Sequence, residues 1–227
     1  MDTNNFYMYD GNVSILPCTV LNYVFDDIDY AQRSKIFAAR NAEFNEIFFF
    51  YPRNEGSAGW TGEPDKYVSY NYAENVWTVG DLSRTAWSDS GIRSNPEAAY
   101  ISDADDSLSL VYVHEDGWDA DGSAMNSYIE SGYFDIDDGE HFSFISRIIP
   151  DVYFDEGSTL GLEIYRKEFP FSSADTSPAT ATFTVGTGQV NLRVRGRQAA
   201  IRFKSDTIDV GWRLGDMRID IRPDGRR

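Results

Sequence analysis

The sequence predicts an all-β protein, and three observations carry that expectation. Aromatic residues make up 15% of the 227 residues, with 14 Tyr and 15 Phe, and such side chains fit a pleated, half-buried surface. Short apolar or alternating runs recur along the chain, separated by Gly, Asn, Asp and Pro turns. Helical periodicity is scarce. The best candidate is residues 29–37, where Asp29 would cap a helical turn or two.

Taken in order, Phe6-Tyr7-Met8-Tyr9 runs into Asp10-Gly11, a strong hairpin signal, and Val13-Ser14-Ile15-Leu16 returns. Residues 46–51 form an aromatic strand stopped by Pro52, since proline cannot continue a central ladder. The Gly-, Ser- and Pro-containing stretch 53–64 reads as an exposed loop. Residues 66–72 alternate cleanly, turn at 73–75 and return as 76–80. Strand, loop, strand, tight turn, strand is the grammar of a propeller blade. Residues 98–101 and 108–114 repeat it less clearly, with no exact internal repeat. From about residue 140 the strands lengthen: 142–150, 151–154 and 160–166 precede a Ser/Thr/Ala/Pro-rich loop at 172–182. Strands at 181–185, 190–195, 199–204 and 217–222 complete the chain. The expected organisation is a propeller-like β-meander region over 1–139, complete or partial, followed by a β-sandwich-like region over 140–227.

A chain of this length buries roughly 70% of its unfolded surface and needs no covalent staple. Its one cysteine, Cys18, excludes an intramolecular disulfide and a Cys-rich zinc site. No stretch approaches the ~20 apolar residues of a membrane-spanning helix, and the first residues lack a secretory leader's basic and apolar segments. The expectation is a soluble protein that is not secreted by the usual route. The net charge of −17 argues against a general nucleic-acid-binding surface. That charge is uneven: residues 161–227 hold 12 Lys+Arg against 8 Asp+Glu, whereas residues 1–160 hold 8 against 29. In the late strands Leu192, Val194, Ile201, Phe203, Ile219 and Ile221 share one parity; Arg193, Arg195, Arg202, Lys204, Arg218 and Arg222 share the other. One sheet face is expected to be buried and the opposite face strongly basic, with a neighbouring copy's carboxylates as the simplest complement.

Residue types that carry chemistry are few. His114 and His141 are the whole imidazole supply, and His114 beside Glu115 is a candidate base pair. No Gly-x-Ser-x-Gly elbow occurs, and the bland reading of each histidine is an ordinary hydrogen-bonded strand or turn residue. Residues 115–122, Glu-Asp-Gly-Trp-Asp-Ala-Asp-Gly, are the best candidate for a hard cation such as calcium. They depart from the EF-hand pattern, so a solvated turn with Asp side chains capping backbone N–H groups is the favoured reading. The Asp26-Asp27-x-Asp29 and Asp103-x-Asp105-Asp106 clusters read the same way. Trp60, Trp77, Trp87 and Trp118 are candidate sugar-stacking residues, and more often such residues are core anchors. Gly186-Thr187-Gly188 is a lone turn, not a phosphate loop. No catalytic, cofactor or metal-binding residue is assigned.

Several stretches resemble a known family. They are residues 46–52 (Glu-Ile-Phe-Phe-Phe-Tyr-Pro), residues 65–77 and residues 83–87 (Ser-Arg-Thr-Ala-Trp). Residues 119–123, 128–132 and 195–198 add to them, and the ending 212–227 (Trp-Arg-Leu-Gly-Asp-Met-Arg-Ile-Asp-Ile-Arg-Pro-Asp-Gly-Arg-Arg) is the most specific. Together they resemble the C-terminal half of tail nozzle or hub proteins of short-tailed bacteriophages, over nearly the whole chain. The resemblance implies a virion component without catalytic residues: a ring, six-fold in that family, below the portal and adaptor and around the DNA exit channel. It implies adaptor and fibre proteins as partners and assembly in the host cytoplasm. The family's chains are several times longer, and a partial propeller would expose strand edges. The competing readings are a carbohydrate-binding or carbohydrate-degrading β-protein such as a host-surface adhesin, and a calcium-dependent adhesion module.

Overall fold

A computed structural model describes residues 1, 4–89, 94–101, 109–135, 141–154, 158–173 and 176–225. It is all-β, with 52% strand against 6% helix. The chain divides into two compact units, Met1–Asp116 and Gly117–Arg227. The sequence reading set its division at 139/140, later than this one.

In the first unit, β1 (Phe6–Tyr9) and β2 (Val13–Leu16) form a hairpin whose turn uses Gly11 at φ 110°. Helix α1 (Leu21–Asp27) follows. It has no side-chain cap, and its reason to be helical is tertiary: it buries Val24 and Phe25. A 3₁₀ turn spans Tyr30–Lys35, with Asp29 accepting from Ala31 N at 2.8 Å as its cap. The next four strands form an antiparallel meander: β3 (Phe37–Asn41), β4 (Glu46–Tyr51), β5 (Lys66–Asn71) and β6 (Val76–Asp81). Asn45 and Asn75 take positive φ at its two tight turns, where a short polar side chain tolerates left-handed backbone.

That meander is covered on both faces, which explains why the run 47–51 is apolar without alternation. On one face Phe49 and Trp77 lie 5.1 and 4.6 Å from the Phe6 ring, and Val68 and Val24 join their cluster. On the other face Phe48 and Phe50 pack against Tyr67 and Trp87. Trp87 belongs to a second antiparallel sheet of β7 (Ala86–Ser88), β8 (Glu97–Ile101) and β9 (Ser109–Val113).

The second unit opens with a small hairpin, β10 (Asp119–Ala120) and β11 (Ser123–Ala124). Then come β12 (Ser127–Glu130), β13 (Phe134–Asp135), β14 (Ser143–Ile149), β15 (Val152–Phe154), β16 (Thr159–Lys167) and β17 (Ala179–Thr184). The chain ends with β18 (Val190–Gly196), β19 (Gln198–Ser205), β20 (Trp212–Leu214) and β21 (Arg218–Pro223). A five-stranded sheet runs β12–β19–β16–β17 with β13 also on β19, and a three-stranded sheet runs β18–β14–β21. Strands β15 and β20 pair separately. One core cluster draws on both larger sheets: Leu162, Ile164 and Phe203 from the first, Ile145, Ile148 and Val194 from the second. Strands β12 and β13, inside the meander region of the sequence reading, pair with β19 and belong to this unit.

Candidate functional site

The structure separates the histidine from its supposed carboxylate partner. Arg84 Nε donates to His114 Nε2 at 2.9 Å, and the imidazole packs on Trp87 with ring centroids 4.6 Å apart. Burial, then the neighbouring guanidinium, lowers the His114 pKa to about 4. A neutral imidazole whose Nε2 lone pair is already engaged is a poor general base. Glu115 turns instead to Asn41, whose Nδ2 donates to its Oε1 at 2.7 Å. His141 is half-buried just ahead of β14.

The acidic segment 115–122 is a pair of turns. Asp119 Oδ1 accepts from Gly122 N at 2.9 Å, and Asp121 and Gly122 both take positive φ, the geometry of a two-residue hairpin turn. Among the described residues, no group of three or more His, Cys, Asp or Glu is placed to hold a metal ion. Asp27 pairs with Lys66 at 3.2 Å, while Asp29 caps the 3₁₀ turn and accepts from Trp60 Nε1 at 3.0 Å. The cluster 103–106 lies outside the described residues. Gly186, at φ 83°, sits in the turn between β17 and β18, where Thr187 Oγ1 accepts from Thr184 N.

The tryptophans divide by environment. Trp77 is a core residue donating to Pro17 O, and Trp87 donates to Arg40 O from within the aromatic cluster. Trp60 is tied to Asp29. Trp118 is 56% exposed, and its ring lies against Gly211, where an added Cβ would come within 2.8 Å of it.

A charged network at one end of β4–β6 carried no signal in the sequence. Arg53 pairs with buried Asp65 and, at 3.4 Å, with Asp81; Lys66 pairs with Asp27. The Tyr51 hydroxyl, fully buried beside them, has no hydrogen-bond partner among the described residues. Burial, with Asp27 next in order, pushes its pKa far above the usual phenol range.

The basic late strands occupy two sheets rather than one, which corrects the single basic face expected from their alternation. The apolar residues are directed as expected, since all six belong to or pack against the core cluster. On β19, however, the cations are neutralised within the chain. Arg202 pairs with Glu130 and Glu163, and Lys204 reaches Glu163 at 2.7 Å. Tyr165 Oη also donates to Glu163, and these bonds, Lys204's first, hold the Glu163 pKa below the usual carboxylate value. On the outward face of β18–β14–β21, Arg195 pairs with Asp224 and Arg147 with Asp220. Arg193, Arg218 and Arg222 are exposed there, with no ion pair among the described residues. Arg226 and Arg227 lie outside those residues.

A second surface is apolar. Cross-strand pairs Tyr7–Ile15 and Tyr9–Val13 place four side chains on one face of the β1–β2 hairpin, and these are 41%, 60%, 76% and 71% exposed. Only Phe6 of that hairpin is fully buried.

No family model matches this sequence, and no curated protein matches it.

Proposed function

We propose that the chain is a structural subunit of a bacteriophage tail, working in a ring of identical copies of the nozzle or hub kind and catalysing no reaction. The observation that carries this reading is the hairpin face of Tyr7, Tyr9, Val13 and Ile15. A contiguous exposed apolar face marks an interaction site, and here it lies opposite the face that Phe6 anchors in the core. The four-stranded β3–β6 meander followed by the β7–β9 sheet supports an arrangement of successive propeller-type blades. The core shared by the two larger sheets of the second unit supports a sandwich. The resemblance of residues 46–52, 65–77 and 212–227 to tail nozzle proteins supplies the virion, the six-fold ring and the adaptor and fibre neighbours. The excess of carboxylates suits a conduit, because it repels phosphates and lets genomic DNA pass without binding.

The test is negative-stain imaging and sedimentation of the purified chain over a range of concentrations. Rings with a central hole are expected, and Tyr9→Ser/Val13→Ser is expected to weaken them. A strict monomer throughout would overturn the reading. Trp118 favours one alternative, carbohydrate binding, since its ring is half-exposed with one face backed by Gly211. Glycan binding by wild type that is lost in Trp118→Ala would move the function there.

A further inference from the structure

On the outward face of β18–β14–β21, Phe144 sits directly across from Arg195 on one side and Arg222 on the other. Arg147 lies across from Asn191 and Asp220, and Ile149 across from Arg218. Strands pack about 4.8 Å apart and alternate residues about 6.8 Å apart, so five arginines crowd a patch three strands wide. Two are neutralised by Asp220 and Asp224. The other three, Arg193, Arg218 and Arg222, leave a local excess of positive charge on a chain of net −17.

The complement is present in the first unit. Met1–Asp116 carries 19 Asp+Glu against 7 Lys+Arg, and Lys35, Arg53 and Lys66 are already paired within it. Glu46 lies across from Asn41 at the β3–β4 turn, and Asn41 binds Glu115. Asn41 is fully buried, and its Oδ1 has no hydrogen-bond partner among the described residues. The carboxyls crowd one another: burial and Glu115 raise the Glu46 pKa, and burial and Glu43 raise that of Glu115. The first unit holds carboxylates in excess of its cations, and on the second unit three guanidinium groups have no carboxylate partner among the described residues.

We propose that Arg193, Arg218 and Arg222 on the outward face of β18–β14–β21 dock onto the Glu43–Glu46–Glu115 group of a second copy of this chain. The inference rests on the assembly reading above and names the surface that reading needs. Unlike patches meeting head to tail generate a ring when the rotation closes. Guanidinium is the suited donor because its planar fork can serve two carboxylates at once. A nucleic acid is the weaker occupant, since the chain as a whole carries a net charge of −17.

The test compares sedimentation of wild type, Arg193→Glu/Arg218→Glu/Arg222→Glu and Glu43→Arg/Glu115→Arg, at low and high salt. Each variant is expected to self-associate at least about ten-fold more weakly than wild type. An equimolar mixture of the two variants is expected to restore a complex, and salt to weaken the wild-type one. Arg193→Gln/Arg218→Gln/Arg222→Gln, which adds no carboxylate, serves if the first triple variant loses its far-UV spectrum, and the same weakening is expected of it. Variants that still form rings as wild type does would overturn this interface and leave the assembly reading standing. A wild type that never associates would overturn both. A labelled oligonucleotide that binds wild type but not the arginine variants, with self-association unchanged, would assign the patch to nucleic acid and overturn the inference.

Discussion

Arg84 Nε donates to His114 Nε2 at 2.9 Å, so a cation and an imidazole share a hydrogen bond in which the imidazole must stay neutral. Burial and that guanidinium move the His114 pKa from 6.5 to about 4. The unfolded chain therefore binds more protons than the folded one between these values, and stability rises with pH across that window. The contribution is fully present above pH 6.5, declines as pH falls toward 4 and is constant below it. Allowing for the solvent around a partly exposed ring, it amounts to about 1–2 kcal/mol. His114→Gln keeps an acceptor for Arg84 and removes the titration. Urea unfolding at pH 7 and pH 4.5 is expected to show a smaller loss of stability in the variant than in wild type; equal losses would refute the assignment.

Gly80 is required by Tyr67. The Tyr67 side chain lies over it, and an added Cβ would stand 2.5–2.6 Å from two ring carbons and the hydroxyl oxygen, closer than real contacts allow. The ring has little room to yield, since it packs against Phe48 and Phe50. Gly80→Ala is expected to destabilise by about 1–3 kcal/mol, the usual cost of overfilling a core. The same change in a Tyr67→Ala background is expected to cost little, and the difference between the two measures the clash.

The sequence made the strands legible wherever one face is buried and the other is wet. β18 reads Val-Asn-Leu-Arg-Val-Arg and is buried at each apolar position, so its limits and facing followed from parity alone. Helix α1 was not legible. Leu21–Asp27 has no capping side chain and is rich in residues equally at home in strands, so only packing of Val24 and Phe25 makes it helical. The ion pairs of the late strands were hidden for a related reason. Parity places Arg202 and Arg195 on outward faces, but it does not say that β19 and β18 lie in different sheets, nor that Glu130, Glu163 and Asp224 stand beside them. Arg53–Asp65 and Lys66–Asp27 depend likewise on a register that no local pattern encodes.

Asp29 was readable as a cap, and the structure gives it a second task. Its Oδ1 accepts from Ala31 N and its Oδ2 from Trp60 Nε1, which ties the 53–64 loop to the 3₁₀ turn. Asp29→Ala removes both bonds at a buried position and is expected to cost about 1–3 kcal/mol. Trp60→Phe removes only the second and is expected to cost about 0.5–1.5 kcal/mol. Thermal melts of the two single variants and the double variant check this: the double is expected to cost little more than Asp29→Ala alone. Additive losses would show that the two groups do not act through one bond.

Glu163 is the hub of the β16–β19 outward face, bound by Lys204, Arg202 and Tyr165 together. These partners, Lys204's bond foremost, hold its pKa below the ordinary 4.5 of a glutamate. The folded state therefore favours the carboxylate, and the resulting stability is present above pH 4.5 and lost as pH falls through the folded pKa. Because Arg202 and Lys204 are about one-third exposed, the network is worth only about 1 kcal/mol. Glu163→Gln keeps the shape and removes the charge. At neutral pH and low salt it is expected to be less stable than wild type by about that amount, and the gap is expected to shrink in high salt as screening weakens the pairs. Chemical denaturation at two ionic strengths reads both effects. A variant as stable as wild type at low salt would mean that the cations are held by solvent and sheet packing rather than by Glu163.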